Sequence, residues 1–169
     1  MIKSFGGKTP RIADSAWVCE TAYIVGDVEI GENSSVWPGA VIRADHDSIK
    51  IGKNTNIQDN TVIHDGHGLT IGDNVHIGHS AVINCHSIGN NVLIGMHSTI
   101  LHDAEIGNFC VIGANCLVSQ GMKIPDNSFV VGVPAEIKKQ VSPQQVLRWL
   151  EEAPEGMVKL AREYKEAGL

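Results

Sequence analysis

The sequence has few aromatic residues, no long apolar run and no cluster of basic residues. Phe, Trp and Tyr together make up 5% of the 169 residues, too few for a core built on large rings. No segment approaches the roughly 18 consecutive apolar residues of a membrane span, so we expect no membrane association. The net charge of −6, without any Lys/Arg-rich stretch, argues against nucleic acid as a partner.

Cysteine spacing and the N-terminal residues favour a cytoplasmic location. The opening segment, MIKSFGGKTPR, lacks the apolar stretch that is typical of a secretory signal. No Cys-x-x-Cys motif is present, so the cysteines need not pair and can remain reduced thiols. The four cysteines are Cys19, Cys85, Cys110 and Cys116.

Glycine, in contrast, is abundant, with 18 residues, and much of it belongs to a six-residue repeat. An aliphatic residue returns at every sixth position through most of 12–130, apart from insertions at 43–50 and 64–70 and one step of five from Ile83 to Ile88. The residue two positions earlier is usually small, so both side chains face the same way on an extended strand. Gly or Asn often follows, as tight corners require. Each hexapeptide therefore predicts a short strand plus a corner.

This repeat predicts an all-β protein built as a parallel β-helix. Three hexapeptides close one triangular coil, and residues 12–133 give about seven coils after an N-terminal segment, 1–11. Cys110 and Cys116 occupy the small inward position, and we predict that both are free, buried thiols.

The six-residue pattern stops after Val133, and residues 134–169 form a C-terminal α-helical segment. Ser142-Pro143-Gln144-Gln145 has the form of a helix-starting capping box. The apolar spacing that follows predicts one or two amphipathic helices, with a break at Pro154 and Gly156. We expect this tail to pack along the outside of the prism.

Several short motifs together resemble the γ-class carbonic anhydrase family of hexapeptide-repeat proteins. They are Arg43-Ala44-Asp45, Asn56-Ile57-Gln58-Asp59, Val62-Ile63-His64, Ile77-Gly78-His79 and Gly132-Val133-Pro134-Ala135. The resemblance implies a left-handed prism and a homotrimer. It also implies a zinc ion at each subunit interface, held by two histidines of one subunit and one of its neighbour. In that family a metal-bound hydroxide hydrates CO2 reversibly to bicarbonate.

The resemblance implies a metal site with one altered ligand. His64 matches the first ligand of the family and His79 the ligand offered to the neighbouring subunit, but the third position holds Asn84. An amide oxygen is a weak donor for zinc. We therefore expect zinc or another divalent metal at partial occupancy, with weak or lost activity. His86, which the repeat places in the core, and His102, one coil from Asn84, are alternative ligands.

The same resemblance implies roles for residues around the metal site and at the subunit interface. Gln58 matches the residue that orients the metal-bound hydroxide, and Asn56 a group near bound CO2 or bicarbonate. Arg43 with Asp45 and Asp59 resembles an ion pair across the trimer interface, where a bidentate contact is geometrically selective.

Tyr164 and His46 are two further candidates for the site, and each also has a purely structural interpretation. Tyr164 resembles a tyrosine that closes over the site, or it simply packs its helix. His46, directly after Arg43-Ala44-Asp45, is a candidate proton shuttle because an unperturbed histidine has a pKa of about 6.5. The alternative for His46 is a solvated loop residue.

Three function classes remain open from the sequence. The first is a zinc-dependent carbonate dehydratase, a lyase. The second is a hexapeptide acyltransferase or acyl-CoA thioesterase-like enzyme, in which a cleft histidine acts as base without metal. The third is a catalytically silent trimeric scaffold. Metal content of the purified protein separates them best.

Overall fold

A computed structural model describes residues 1–64 and 66–169. Short strands follow one another along most of the chain, and a helix lies near its C-terminus. In chain order the strands are β1 (Ile2–Lys3), β2 (Arg11–Ile12), β3 (Trp17–Val18), β4 (Tyr23–Ile30), β5 (Ser35–Val36), β6 (Val41–Ile51), β7 (Asn56–Ile57), β8 (Val62–His64), β9 (Leu69–Ile71), β10 (His76–Ile77), β11 (Val82–Ile83), β12 (Ser87–Ile88), β13 (Leu93–Ile94), β14 (Thr99–Ile100), β15 (Glu105–Ile106), β16 (Val111–Ile112), β17 (Leu117–Val118), β18 (Lys123–Ile124), β19 (Ser128–Val131) and β20 (Glu136–Gln140).

Strands one coil apart pair in parallel, and this pairing confirms the predicted β-helix of about seven turns. Ile57 pairs with Ile77, Ile77 with Ile94, and Ile94 with Ile112, so one position of the repeat stacks on itself. All four of these side chains are fully buried. The aliphatic residues of the repeat therefore form one continuous core along the axis.

Asparagines turn many of the corners. The residues concerned adopt φ values between +53° and +61°, a region that Asn tolerates better than other non-glycine residues. They are Asn33, Asn54, Asn60, Asn74, Asn91, Asn115 and Asn127. Inside the coils, Cys110 and Cys116 are buried and unpaired, as the repeat predicted.

The three outer faces of the prism differ in chemistry. The helix-covered face presents Trp17, Ser35, Asn56, His76, Leu93, Val111 and Phe129. The charged face presents Arg11, Glu29, Lys50, Thr70, Ser87, Glu105 and Lys123. The apolar face presents Tyr23, Val41, Val62, Val82, Thr99 and Leu117. On the apolar face Tyr23, Val62 and Val82 are 38–42% exposed, because no helix among the described residues covers them.

Both ends of the chain join the prism. β1 pairs with β4, and β20 pairs antiparallel with β19, so the segment 134–169, predicted as helical, begins with a strand. The Ser142 capping box is present, which confirms the predicted helix start. The helical segment comprises α1 (Pro143–Gln145), a π-helical segment (Val146–Glu152) and α2 (Ala153–Glu166).

The predicted break at Pro154 and Gly156 is wrong, because the chain stays helical through both residues. The π-helical segment ends just before α2, so Pro154 stands in the first turn of α2, where a missing N–H is tolerated. A glycine inside a helix costs only about 1 kcal/mol relative to alanine.

The helical segment lies along the outside of the prism. Leu150 is fully buried in a cluster that includes Val111, and α2 contacts β3, β5 and β7. The indole Nε1 of Trp17 donates a hydrogen bond to the carbonyl of Leu169 at 2.8 Å. Within the described residues, no helix is long and apolar enough to cross a lipid bilayer.

Candidate metal centre

The predicted site residues fall into two groups at different edges of the apolar face. The first half-site consists of Arg43, Asp45, His46, His64 and Asn84, where β8 and β11 end and β6 continues into its insertion. The second half-site consists of Asn56, Gln58, Asp59 and His79, at or before the turns that lead into β8 and β11. The outward valines of β8 and β11 lie between the two groups. One chain therefore presents two separate groups of candidate site residues.

In the first half-site, the neighbouring coil orients His64. Arg43 pairs with His64 in register, and Nδ1 of His64 lies 2.9 Å from the Arg43 carbonyl oxygen. A carbonyl oxygen only accepts, so Nδ1 donates and Nε2 of the neutral ring carries the lone pair. In this tautomer Nε2 is the ring atom that can coordinate a metal.

Asp45 is held beside His64 with one oxygen unsatisfied. Its Oδ2 accepts from Nη1 of Arg43 at 2.6 Å, and its Oδ1 lies 3.7 Å from Nδ1 of His64. That Oδ1 atom is buried and has no hydrogen-bond partner among the described residues. Burial by itself raises the pKa of Asp45, but Arg43, a backbone hydrogen bond, His64 and His46 together hold that pKa below its usual value. The carboxylate is thus ionised at neutral pH.

His46 joins the same cluster. Its ring centroid is 6.2 Å from that of His64, and its Nε2 is 4.0 Å from Oδ1 of Asp45. Asp45, His46 and His64 each offer a donor atom within 4.8 Å of the others, and no other such group of His, Cys, Asp or Glu occurs in the part of the chain that the structure describes. The sequence analysis predicted that His46 is a proton shuttle or a solvated loop residue, and not a metal ligand.

Asn84 follows β11 one coil further along, next to His64 in the strand register. Its Oδ1 is buried without a hydrogen-bond partner among residues 1–64 and 66–169. It lines a small cleft with Gly66, His86 and His102. Since Ile83 pairs with Ile100, this coil has 17 residues, and Leu101 rather than His102 stands opposite Asn84.

The predicted inward placement of His86 is wrong. His86 is exposed, whereas Cys85 is 4% exposed and belongs to the core. The five-residue step from Ile83 to Ile88 removes one residue from this coil, and Cys85 then takes the inward place. Neither His86 nor His102 is part of the donor cluster around His64.

The second half-site is built around a histidine–carboxylate pair. Nδ1 of His79 lies 2.9 Å from Oδ2 of Asp59, so the ring donates there and Nε2 carries the lone pair. Within one chain Asp59 therefore binds His79, an interaction that the sequence analysis missed. Both residues occupy the same turn position one coil apart, which is the signal that could have revealed it.

Two amides lie beside this pair, beneath α2. Asn56 is 2% exposed, and neither its Oδ1 nor its Nδ2 has a hydrogen-bond partner in the described part of the chain. Gln58 is buried, and its Nε2 lies 3.7 Å from the sulfur of Met157. Tyr164 packs edge-on against Trp17 and Trp37, with ring centroids 5.3 and 5.1 Å apart.

Models of two repeat families match the prism. The bacterial transferase hexapeptide model (six repeats) matches residues 9–44 and 86–120. The model for the hexapeptide repeat of succinyl-transferase matches residues 48–85 and 68–101. Both agree with the observed coils.

Relatives and solved structures cover most of the chain. A carbonic anhydrase of Geobacillus kaustophilus is 40% identical over 99% of this chain and 89% of its own length. Gamma carbonic anhydrase 2, mitochondrial, of Arabidopsis thaliana is 33% identical over 92% of this chain, which spans only 58% of that protein. A crystal structure of a Bacillus cereus protein named as an acetyltransferase matches with a TM-score of 0.94 and 38% identity, covering 98% of this chain and 97% of the other.

Proposed function

Because the chain belongs to the γ-carbonic anhydrase family of hexapeptide-repeat proteins, we propose that it hydrates CO2 reversibly to bicarbonate at a metal centre shared between copies. The observation that supports this most is the pair of oriented imidazoles, His64 and His79, at different edges of an uncovered apolar face. Each ring has its Nδ1 proton engaged, and in that tautomer the lone pair is on Nε2.

The apolar face supports a homotrimer. Removing exposed Tyr23, Val62 and Val82 from water is favourable by about 25 cal/mol per Å² of apolar surface. Three copies that pack these faces around one axis bring the His64 edge of one copy against the His79 edge of the next. In this arrangement each of three equivalent sites receives one half from each of two subunits.

The donor atoms fit a divalent metal. Imidazole nitrogens from His64 and His79 suit zinc and related metals. The unpartnered, buried Oδ1 of Asp45 lies beside His64, and burying such an oxygen without a partner is costly. A catalytic divalent metal, when bound, lowers the pKa of a coordinated water to about 7 and so supplies a nucleophile at neutral pH.

The neighbouring side chains position the reactants. Gln58 orients the nucleophile through a hydrogen bond from its side-chain amide. Asn56 offers both amide atoms to CO2 or bicarbonate, which gives its buried, unpaired side chain a partner. Tyr164 fixes α2 against Trp17 and Trp37, and Met157 of the same helix covers Gln58 and limits the access of water.

The test measures CO2 hydration, oligomeric state and metal content on the same samples. We expect a trimer whose metal and activity both disappear in the His64→Ala variant while the trimer remains. The matched control is His97→Asn, which removes an exposed imidazole at a φ of +58° that asparagine tolerates. A metal-loaded trimer with no CO2 hydration would refute the proposal.

Acyl transfer is the second candidate function. The His79–Asp59 pair has the geometry of a general base oriented by a carboxylate, and the Bacillus cereus structure is named for acetyl transfer. Turnover of acetyl-CoA by metal-free protein, lost in His79→Ala, would favour it. A trimer with neither metal nor turnover would favour the scaffold. The free cysteines favour a reducing compartment such as the cytoplasm, which localisation of a tagged chain would test.

A further inference from the structure

We infer that Asp45, His46 and His64 of one copy form a three-donor metal half-site, in which the His46 imidazole replaces the histidine that the family motif expects at Asn84. This inference rests on the proposed metal centre and specifies its ligands. It assigns His46 to the metal itself and not to proton transfer. His79 of a neighbouring copy is then the fourth protein donor, and a five-coordinate metal would keep one position for water.

The donor distances allow a metal once the Asp45 carboxylate turns toward Nε2 of His64, since its Oδ1 now lies 3.7 Å from Nδ1. The three donor atoms lie within 4.8 Å of one another. Donors about 2.0–2.1 Å from a shared metal lie roughly 3–3.5 Å apart, so these atoms must approach one another by about 1 Å or more. The His46 side chain is 73% exposed, and its ring can rotate without disturbing the core.

A bulge in β6 explains why consecutive residues reach one point. Ala44 pairs with Gly26 and Ile49 with Val28, so residues 45–48 stand opposite a single residue of β4. In a regular strand Asp45 and His46 would point to opposite faces, and the bulge removes that alternation. Gly26 permits the close approach, because a Cβ there would lie 1.8 Å from the Ala44 carbonyl oxygen.

The unsatisfied oxygen of Asp45 also supports metal binding at this cluster. Its Oδ2 is occupied by Arg43, while its buried Oδ1 has no hydrogen-bond donor among the described residues and lies next to both imidazoles. An ionised oxygen in this position attracts a cation, and a metal would satisfy it. Asn84 offers only a neutral amide oxygen, a weaker donor. Two imidazoles and a carboxylate from one chain suit zinc or cobalt(II).

The test titrates cobalt(II) and zinc into the metal-stripped, full-length protein, with affinity measured by chelator competition. His46→Ala should weaken binding by at least tenfold. Asn84→Ala should change it by less than about twofold. His86→Ala and His102→Ala are matched controls, because each removes one exposed imidazole outside the cluster and should also leave affinity unchanged.

His46→Cys gives a readout that a purely structural role would not produce. A thiolate at position 46 that binds cobalt(II) adds an intense thiolate-to-metal charge-transfer band in the near ultraviolet. Wild type, which has no cysteine in the cluster, should lack that band. Loss of affinity in His46→Ala together with the new band in His46→Cys would establish ligation.

The outcomes separate this inference from the proposed function. If Asn84→Ala weakens binding and His46→Ala does not, Asn84 is the third ligand and the inference is wrong, while CO2 hydration can still stand. If His46→Ala keeps its metal but loses hydration that imidazole buffer restores, His46 is a proton shuttle and the inference is again wrong. If His46→Ala loses metal while the loaded wild type shows no hydration, the ligand assignment holds and the proposed function fails.

Discussion

Nδ1 of His79 lies 2.9 Å from Oδ2 of Asp59, and the coil that precedes His79 supplies that carboxylate. The same relationship holds for His64, whose Nδ1 donates to the carbonyl of Arg43 one coil earlier. In both cases the stacking of coils places an acceptor directly beside the ring. The prism thus sets the tautomer of each candidate ligand before any metal or second copy is present.

Replacing Asp59 tests this orientation. In Asp59→Asn the amide can turn its NH2 toward His79, which places the ring proton on Nε2 and removes the ligand lone pair. Metal affinity should fall by about 10–100-fold, as for other groups that orient ligating histidines. Chelator competition measures it. Asp103→Asn, at an exposed corner, is the control, and equal affinities in both variants would contradict the proposed role.

We predict that the apolar face mediates assembly of the trimer. Val82→Glu places a charge in the centre of that face and should yield monomers by light scattering after size-exclusion chromatography. Thr70→Glu makes the same addition at an exposed strand position on the charged face and should leave the assembly intact. Because the site needs both half-sites, the monomer should bind metal less tightly. A trimeric Val82→Glu protein would show that another surface mediates assembly.

Because the His76 imidazole is partly buried, we predict that the stability of the fold depends on pH. Burial, with a smaller contribution from His79, lowers the pKa of His76 to about 4 from an ordinary 6.5. Between these two pKa values His76 binds a proton in the unfolded chain but not in the folded chain. The free energy of unfolding therefore decreases as pH falls. The loss amounts to about 3 kcal/mol by pH 4, with no contribution above pH 6.5.

Urea unfolding of metal-stripped protein at pH 7 and at pH 4.5 checks this dependence. His76→Leu should lose less stability than wild type between the two values. His97→Asn, which removes an exposed imidazole, should follow wild type. Parallel curves for wild type and His76→Leu would show that His76 does not resist protonation.

We predict that substitution by alanine has opposite effects on the free energy of unfolding at Gly95 and at Gly156. A Cβ on Gly95 would lie 2.4 Å from the backbone nitrogen of Ala114, so Gly95→Ala should lower the free energy of unfolding by about 1–3 kcal/mol. A Cβ on Gly156 meets nothing within 4 Å, and Gly156→Ala in α2 should raise stability by about 0.5–1 kcal/mol. Urea unfolding at fixed protein concentration compares them. Equal effects would be inconsistent with the close coil stacking.

Thiol labelling tests the core. Burial raises the pKa of Cys85 to about 12 and also raises the pKa values of Cys110 and Cys116, so these thiols should resist a bulky maleimide in the native state. Cys19 is half-buried and should react. Mass spectrometry should find one label per native chain and four after denaturation. Rapid labelling of Cys110 or Cys116 would contradict their placement.

The period of six determined the prism from the sequence alone. Small and aliphatic residues two apart, followed by Gly or Asn, specify a strand and a corner through local sterics, and their repetition specifies a core. For the same reason the buried thiols and the Ser142 helix start were predictable. The motifs around His64 and His79 could be recognised because each occupies a few consecutive residues.

Only the tertiary structure decided the features that depart from the six-residue repeat. The short step at Ile83–Ile88 turned Cys85 inward in place of His86, and the π-helical segment let the helix continue through Pro154. The bulge opposite β4 brought His46 beside Asp45 and His64. Each of these outcomes depends on the register between segments of the chain that are distant in sequence or on how a helix meets the prism. Local sequence patterns do not encode such registers, because the same residues can face either way until a neighbouring coil fixes them.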